Sequence, residues 1–396
     1  MPDHASIIPA ANVLEALIAP LTPEQFFADY YERNFYHSTV INAALPEILN
    51  LDRIDEIISD AELPPTSISM AKGGQSVPSE DYTFGNGVVD RGAVLDQFRN
   101  GATIVLPQLN FGDGKLYSLC LALEQRLGAR VQTNIYLTPP GEHGFGIHYD
   151  DHDVFVLQVA GAKDWEIYGD RDGLPFRGEG FRKGVDDVGE LRASFVLETG
   201  QCLYVPRGTA HRALTRGDQP SLHITVGVLV QTWADFMLEA VAEASLRVPG
   251  LRRALPHDLY FAPEKREEHR ALFTQLITSI ADSADFGAIM QIFSGNFISE
   301  QGPRTRGALL ALSTPIADDE VLRLRENILY TFDVKGEQRQ LHIGGSAIAL
   351  SDALYEQLAK RLASGALCKA DLVFDDREEV NDVVGTLVAY GLLVRG

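Results

Sequence analysis

The sequence predicts an α+β protein with a β-rich sandwich or barrel in the middle of the chain and helical segments on either side. Residues 131–230 contain short β-rich runs interrupted by glycine and proline, among them NIYLTP, DVFVLQVAG and HITVG. Several strands at this spacing are typical of a sandwich or barrel. Helix and strand signals alternate before residue 131, and helical periodicity returns after Gln231.

The N-terminal part of the chain predicts helices and a strand. Thr22 is a candidate N-cap, with Pro23 in the first helical position, for a helix through PEQFFADYYERNF. Further along, VVDRGAVLDQFRNG has the spacing of an amphipathic helix, and the apolar residues 104–106 after Gly101 predict a strand.

Two helical regions are predicted after Gln231. WADFMLEAVAEASLRV should form a helix that stops at Pro249, and HRALFTQLITSIADSAD places four apolar side chains on one face: Phe273, Leu276, Ile277 and Ile280. The composition shifts near Pro303. Beyond it come a helix with leucine at 354, 358 and 362, a second helix through EEVNDVVGTLVAYG, and the strand-like LLV, which together resemble a winged-helix module.

Composition limits the possible functions. The chain of 396 residues has a formal net charge of −21, which argues against direct nucleic-acid binding and is compatible with a basic protein partner or with solubility alone. No run approaches the roughly 18 apolar residues of a membrane span, and the first residues lack the pattern of a secretory signal. Three widely separated cysteines suggest a reduced, cytoplasmic protein.

The stretch GFGIHYDDHDVFVLQVAGAKDW contains a candidate metal site. Residues i and i+2 of a strand face the same side, so His148 and Asp150 should point together into the barrel. One imidazole and one carboxylate, with a second histidine and open positions, form the 2-His-1-carboxylate site of non-haem Fe(II) oxygenases. A lone His-x-Asp pair is weak on its own, because chance pairs are common.

The second histidine is predicted to be His211. Gly200, Pro206, Gly208 and His211 have a spacing similar to that of cupin barrels, in which proline and glycine form a tight turn before the histidine on the outgoing strand. Such a turn would bring His211 beside the first two ligands. The alternative interpretation of each histidine is an ordinary polar residue near a turn.

Neighbouring residues leave alternatives open. His152 shares the side of His148 and Asp150, so it is either a pocket residue or a fourth or alternative ligand. Asp151 and Asp153 should face the opposite side, either in solvent or behind the ligands. His223 lies in a strand and is predicted to be a buried, hydrogen-bonded histidine.

NIYLTPPGEHGFGIHYDDHDVFVLQVAGAKDWEIY closely resembles the core of the JmjC-type ribosomal oxygenases, also called the cupin-4 group. The resemblance extends to the helices before the core and to both regions after it. It implies a double-stranded β-helix, an Fe(II) ion, 2-oxoglutarate as cosubstrate, and hydroxylation of protein side chains, notably of ribosomal proteins. It also implies a catalytic domain in residues 1–230, a helical dimerisation region in residues 231–302, and a winged-helix-like domain in residues 303–396.

The resemblance also assigns roles to individual residues. His148, Asp150 and His211 would be the iron ligands. Lys163 matches the position whose cation pairs with the distal carboxylate of 2-oxoglutarate, although a lysine in a surface turn is the alternative interpretation of the sequence alone. Three further residues are expected to line the same pocket: Asn134, Tyr136 and Thr225.

Several functions remain open at this point. The first is a 2-oxoglutarate-dependent protein hydroxylase, expected to be a homodimer, that acts on a basic, ribosomal protein. The second has the same chemistry on a free amino acid or a biosynthetic peptide. A third, histone-type demethylation, fits an acidic chain of this kind poorly. The fourth is a metal-binding cupin without oxygenase activity, against which Lys163 and the three ligands argue.

Overall fold

The computed structural model describes residues 12–60, 63–170, 173–335, 337–373 and 376–395. The chain divides between Val230 and Gln231 into two compact units. This division falls where the sequence changes from β-rich to helical. The further boundary predicted at residues 302/303 lies within the second unit and stays a prediction.

The first unit contains six α-helices and eleven strands among its described residues. The helices are α1 (Val13–Ile18), α2 (Pro23–Asp29), α3 (Leu45–Ile48), α4 (Leu51–Asp60), α5 (Arg91–Arg99) and α6 (Gly114–Leu127). The strands are β1 (Tyr36–Ser38), β2 (Ser69–Lys72), β3 (Gln75–Ser76), β4 (Thr103–Leu106), β5 (Arg130–Thr138), β6 (Asp153–Ala160), β7 (Ala162–Asp170), β8 (Leu191–Glu198), β9 (Cys202–Val205), β10 (Thr209–Arg216) and β11 (Ser221–Leu229).

These strands form two antiparallel sheets, as the central β-rich region predicts. The larger sheet has the order β1-β9-β6-β11-β5-β4-β2-β3, and the smaller has the order β10-β7-β8. Strand β6 shows why both sheets are needed, because its two faces are apolar and both are buried. Phe155 and Leu157 belong to the core that includes the helices, whereas Val154 and Val156 pack with Trp165 of the smaller sheet.

The N-terminal helix begins as predicted but is shorter. Thr22 accepts a hydrogen bond from the backbone N–H of Gln25, whose side chain in turn accepts from Thr22, so the helix has a full capping box. The helix ends at Asp29 rather than continuing through PEQFFADYYERNF. It ends because the chain turns at residues 30–34, where Glu32 has φ of +57°, in the left-handed region that side chains rarely adopt.

The second unit contains helices α7–α12 and strands β12–β17 among its described residues. These are α7 (Trp233–Ala244), α8 (Arg266–Ser283), α9 (Phe286–Ser299), α10 (Ala308–Leu312), β12 (Leu322–Leu324), β13 (Tyr330–Lys335), β14 (Gln338–Ile343), β15 (Ser346–Leu350), α11 (Asp352–Leu362), β16 (Ala366–Leu367), α12 (Arg377–Ala389) and β17 (Leu393–Arg395). The strands form two three-stranded sheets, in the orders β16-β12-β17 and β13-β14-β15.

Helices of the second unit differ in how their apolar faces are used. The predicted leucine stripe of α11 is fully buried, with Leu354, Leu358 and Leu362 at most 1% exposed. By contrast, no residue of α8 is buried, although the sequence predicts an apolar face there. Within the described residues, no helix combines the length and the hydrophobicity needed to cross a membrane.

Candidate active site

His148 lies in an extended segment between the two sheets, just before β6. It forms a single antiparallel β-bridge with His211: each residue's backbone N–H donates to the other's carbonyl, at 3.1 and 2.8 Å. Asp150 follows, and its carbonyl accepts from the N–H of Gly208 at 3.0 Å. The expectation that His148 and Asp150 lie in a regular strand is therefore wrong, since β6 begins only at Asp153. The two side chains nevertheless converge, because the bridge keeps this segment extended.

Three potential ligand atoms come together at this bridge. Nε2 of His148 lies 4.0 Å from one carboxylate oxygen of Asp150, and Nε2 of His211 lies 3.8 Å from the other. All three ligand atoms lie within 4.8 Å of one another, and they are the one such group among the described residues. The turn from β9 to β10 brings His211 to this position, as the glycine and proline spacing predicts.

The histidines have the tautomers that metal binding requires. Nδ1 of His148 hydrogen-bonds the carbonyl of Gly146 at 2.9 Å, and Nδ1 of His211 hydrogen-bonds that of Thr209 at 3.0 Å. A carbonyl only accepts, so Nδ1 of each ring carries a proton, and Nε2 is the nitrogen left to bind a metal. Burial, helped by the nearby His148, lowers the pKa of His211 to about 4, so His211 is neutral at pH 7. Two imidazole nitrogens and one carboxylate fit a divalent iron ion.

The three side chains open onto a cavity between the two sheets. Its lining combines the candidate ligands with polar and aromatic side chains from both sheets: Thr103, Tyr136, Thr138, Phe145, Trp165, His223 and Thr225, together with Lys163.

Lys163 lies on β7 and is 4% exposed, so the surface-turn interpretation of this lysine is wrong. Its Nζ donates to the hydroxyl of Thr138 at 3.1 Å, and no carboxylate forms an ion pair with it in the part of the chain that the structure describes. Burial lowers the pKa of Lys163 to about 7. A buried ammonium without a counterion is costly, so the site favours an anionic ligand.

Two unused polar atoms face the same cavity. Nε1 of Trp165 and Nδ1 of His223 are buried and have no hydrogen-bond partner among the described residues. A ligand with carboxylate oxygens could satisfy such atoms as well as the charge of Lys163. The cavity residues therefore fit a small dicarboxylate such as 2-oxoglutarate, with the three-ligand cluster and Lys163 lining the same space.

The other predicted pocket residues differ in position. Tyr136 lines the cavity and stacks on His223, with ring centroids 4.9 Å apart, and Thr225 also lines it. Asn134 is not among the lining residues, and its side-chain oxygen accepts from the backbone N–H of Gln108 at 3.1 Å. Its predicted contact with the cosubstrate stays a prediction.

His223 is a cavity residue that the sequence interpretation missed. It is buried as expected, but its Nδ1 is unpaired, and burial together with the charge of Lys163 lowers its pKa well below the usual value. The signal available in the sequence was its spacing. His223 and Thr225 are two residues apart on β11 and therefore face the same side.

His152, Asp151 and Asp153 lie outside the ligand cluster. Nδ1 of His152 pairs with Asp151 at 3.0 Å, and its ring packs over Gly227, where a Cβ would lie 2.7 Å from the ring. Of the two positions predicted for Asp153, the structure shows the one away from solvent. Its side chain is fully buried, does not line the cavity, and pairs with Arg207.

Comparison with known proteins agrees with this geometry. Residues 110–236 match the JmjC domain family. The chain is 32% identical over 262 residues to the bifunctional lysine-specific demethylase and histidyl-hydroxylase NO66 of Drosophila mojavensis, a match that covers 64% of this chain and 28% of that protein. It is 32% identical over 267 residues to ribosomal oxygenase 1 of Gallus gallus, covering 64% and 41%.

The fold has counterparts among solved structures. The crystal structure of the ribosomal oxygenase YcfD of Escherichia coli matches with a TM-score of 0.51 and 17% identity, over 95% of this chain and 98% of that one. A second structure of YcfD, in complex with cobalt and 2-oxoglutarate, matches with a TM-score of 0.50. At this identity the similarity shows the fold, which is the JmjC/cupin fold with mixed helices and sheets.

The curated relatives are longer proteins, and the chain spans less than half the length of the two described above. The region that matches the JmjC domain family, residues 110–236, contains all three candidate ligands. Residues 110–236 of this chain are therefore a JmjC domain, similar to the JmjC regions of proteins named as a histidyl-hydroxylase and as ribosomal oxygenases.

Proposed function

We propose that this chain is an Fe(II)- and 2-oxoglutarate-dependent oxygenase that hydroxylates a side chain of a protein, with a basic ribosomal protein as the substrate. One observation carries the proposal: a 2-His-1-carboxylate cluster and an unpaired buried lysine line the same cavity. The names of the relatives support it, since they include a histidyl-hydroxylase and ribosomal oxygenases. The structure of YcfD with cobalt, a common substitute for iron, and 2-oxoglutarate supports it as well.

Each residue in the cavity has a distinct role in this proposal. His148, Asp150 and His211 hold the iron on one side and leave its other positions free. The ammonium of Lys163 binds the distal carboxylate of 2-oxoglutarate, assisted by the Thr138 hydroxyl, while Tyr136 and Thr225 line the walls. Asn134 lies outside this lining and accepts a hydrogen bond from the backbone of Gln108. When bound, iron and 2-oxoglutarate would supply the oxidising chemistry: O2 is consumed, one oxygen atom enters succinate as 2-oxoglutarate loses CO2, and the other is inserted into a C–H bond of the substrate.

Turnover of 2-oxoglutarate tests this function. The protein is purified without oxygen, loaded with Fe(II), and exposed to oxygen and 2-oxoglutarate, and succinate is measured. We expect slow succinate formation without substrate, faster formation with a ribosomal protein extract, and none in His148→Ala. Mass spectrometry should then find one protein of the extract that has gained the mass of one oxygen atom.

Other outcomes would redirect the assignment. Succinate formation that ribosomal proteins do not stimulate, but that an amino acid or a short peptide does, would favour the small substrate. If neither succinate formation nor 2-oxoglutarate binding occurs in the wild-type protein, the chain is a metal-binding cupin without oxygenase activity.

We also propose that the chain forms a homodimer through residues 231–302 and that residues 303–396 form a winged-helix-like domain that does not bind nucleic acid. The homodimer is supported by large apolar side chains that are exposed on helices α7 and α8. Trp233 and Leu238 of α7 are 72% and 71% exposed, and Phe273 of α8 is 64% exposed. Exposed apolar surface of this extent is typical of an interface.

The three free cysteines agree with a cytoplasmic location.

Light scattering after size-exclusion chromatography measures the oligomeric state. At micromolar concentration we expect the mass of two chains. Phe273→Asp should shift the mass towards one chain, because a buried carboxylate at an apolar interface is costly. Gln275→Asp, at an exposed position elsewhere on the same helix, is the control and should remain dimeric. A wild-type mass of one chain would contradict the dimer.

A further inference from the structure

A buried ion pair connects the strand that follows Asp150 with the turn that precedes His211. Asp153, the first residue of β6, is fully buried, and Arg207, in the turn between β9 and β10, is 7% exposed. Oδ1 of Asp153 accepts from the backbone N–H of Arg207 at 2.8 Å, and Oδ2 lies 3.3 Å from the guanidinium. Neither side chain lines the cavity, so the pair does not contact the predicted cosubstrate.

A third charged residue reaches this pair from the N-terminal part of the chain. Oε1 of Glu32 accepts from the guanidinium of Arg207 at 2.5 Å. The backbone N–H of Glu32 donates to the hydroxyl of the buried Tyr204 at 2.9 Å. Glu32 makes both contacts from its left-handed conformation, which costs free energy in a residue with a side chain. Two carboxylates therefore share one guanidinium.

This cluster connects the two segments that carry the metal ligands. Arg207 contacts Asp153, three residues after Asp150, and lies four residues before His211. The next residue, Gly208, donates its N–H to the carbonyl of Asp150. The β-bridge between His148 and His211 is a second backbone contact between the same two segments. The ion pair thus lies at one end of a series of contacts that fixes the ligand atoms relative to one another.

We infer that Asp153, Arg207 and Glu32 are positioning residues for the candidate metal site, which hold the His148–Asp150 segment against the turn that leads to His211. The inference rests on the proposed function, because it assumes that a metal binds there. The charges matter for a physical reason. A buried ion pair adds little to stability compared with apolar packing, but removing one partner leaves the other charge uncompensated and loosens what the pair holds.

Metal binding without turnover tests the inference. Co(II) is titrated into the metal-free protein, and its d–d absorption reports both affinity and ligand geometry. We expect Asp153→Asn to weaken Co(II) binding by about ten- to a hundredfold, the effect typical of residues that orient metal ligands, and to change the shape of the spectrum. Glu32→Gln removes only the outer carboxylate, whose side chain is 36% exposed, and should weaken binding less.

The chain offers a matched control. Glu124 on α6 is 2% exposed, accepts from the backbone N–H of Val131 at 3.0 Å, and pairs with Arg130 at 3.3 Å. It is another buried carboxylate whose partners include a backbone N–H and an arginine, but it does not line the cavity. Glu124→Gln should lower the unfolding temperature of the metal-free protein while leaving the affinity and the spectrum of Co(II) unchanged.

The outcomes separate this inference from the proposed function. If the wild type binds Co(II) and Asp153→Asn binds it equally well, or if Glu124→Gln weakens binding as much, the positioning role is wrong and the metal site stands. If the wild type does not bind Co(II), the metal site is wrong and the positioning role with it. If Asp153→Asn does not fold, Glu32→Gln decides, and an unchanged affinity in that variant rejects the inference.

Discussion

Replacing Asp150 with asparagine should nearly abolish Fe(II) and Co(II) binding, whereas the same change at Asp151 should leave it intact. Asp150 is the single carboxylate of the cluster, and its two oxygens lie 4.0 and 3.8 Å from the Nε2 atoms of the two histidines. Without its charge, the cluster retains two imidazoles and no anionic ligand. We expect the affinity to fall by more than about a hundredfold, because outer partners of metal ligands already account for ten- to a hundredfold.

The neighbouring Asp151 provides a matched control. Asp151 follows directly in the chain, but its carboxylate binds His152 and the backbone N–H of Gly178 instead of joining the cluster. Titration calorimetry with Co(II) on the metal-free proteins distinguishes the two positions. Equal losses in both variants would mean that acidic charge in the region, rather than direct coordination by Asp150, drives binding. Full affinity in Asp150→Asn would remove this residue from the metal site.

The candidate ligands were accessible from the sequence because short-range rules fix them. His148 and Asp150 are two residues apart in an extended segment, and a proline- and glycine-containing turn precedes His211. These local patterns still predict the position of the ligands, although His148 forms a single β-bridge and is not part of a strand. The capping box at Thr22 and the leucine stripe of α11 were predictable for the same reason.

Features that depend on long-range pairing were not accessible in this way. His223 faces the cavity because β11 lies between β5 and β6, which brings it opposite Tyr136 and Gln158. The burial of Asp153 depends on an arginine more than 50 residues later and a glutamate more than 120 residues earlier. No periodicity within one segment contains that information, because it arises from the order of strands in the sheet.

A strong pH dependence of 2-oxoglutarate binding should follow from Lys163. In the ligand-free protein, burial lowers the pKa of this lysine to about 7, so the ammonium loses its proton as the pH rises above 7. A bound carboxylate stabilises the ammonium and raises that pKa, so binding takes up a proton. Below pH 7, titration of Lys163 should therefore leave the affinity for 2-oxoglutarate unchanged. Between pH 7 and 9 this affinity should fall by up to about tenfold per pH unit.

Two variants of Lys163 separate its charge from the other cavity contacts. In Lys163→Ala the affinity at pH 6.5 should fall on the order of a hundredfold, since the distal carboxylate loses its buried partner, and the pH dependence should disappear. Lys163→Arg stays protonated throughout this range, so its affinity should not vary with pH. Calorimetry on the Co(II)-loaded proteins measures both effects. The pKa of His211, about 4, lies far below this window, so a pH dependence that persists in Lys163→Ala would mean that a different group pairs with the cosubstrate.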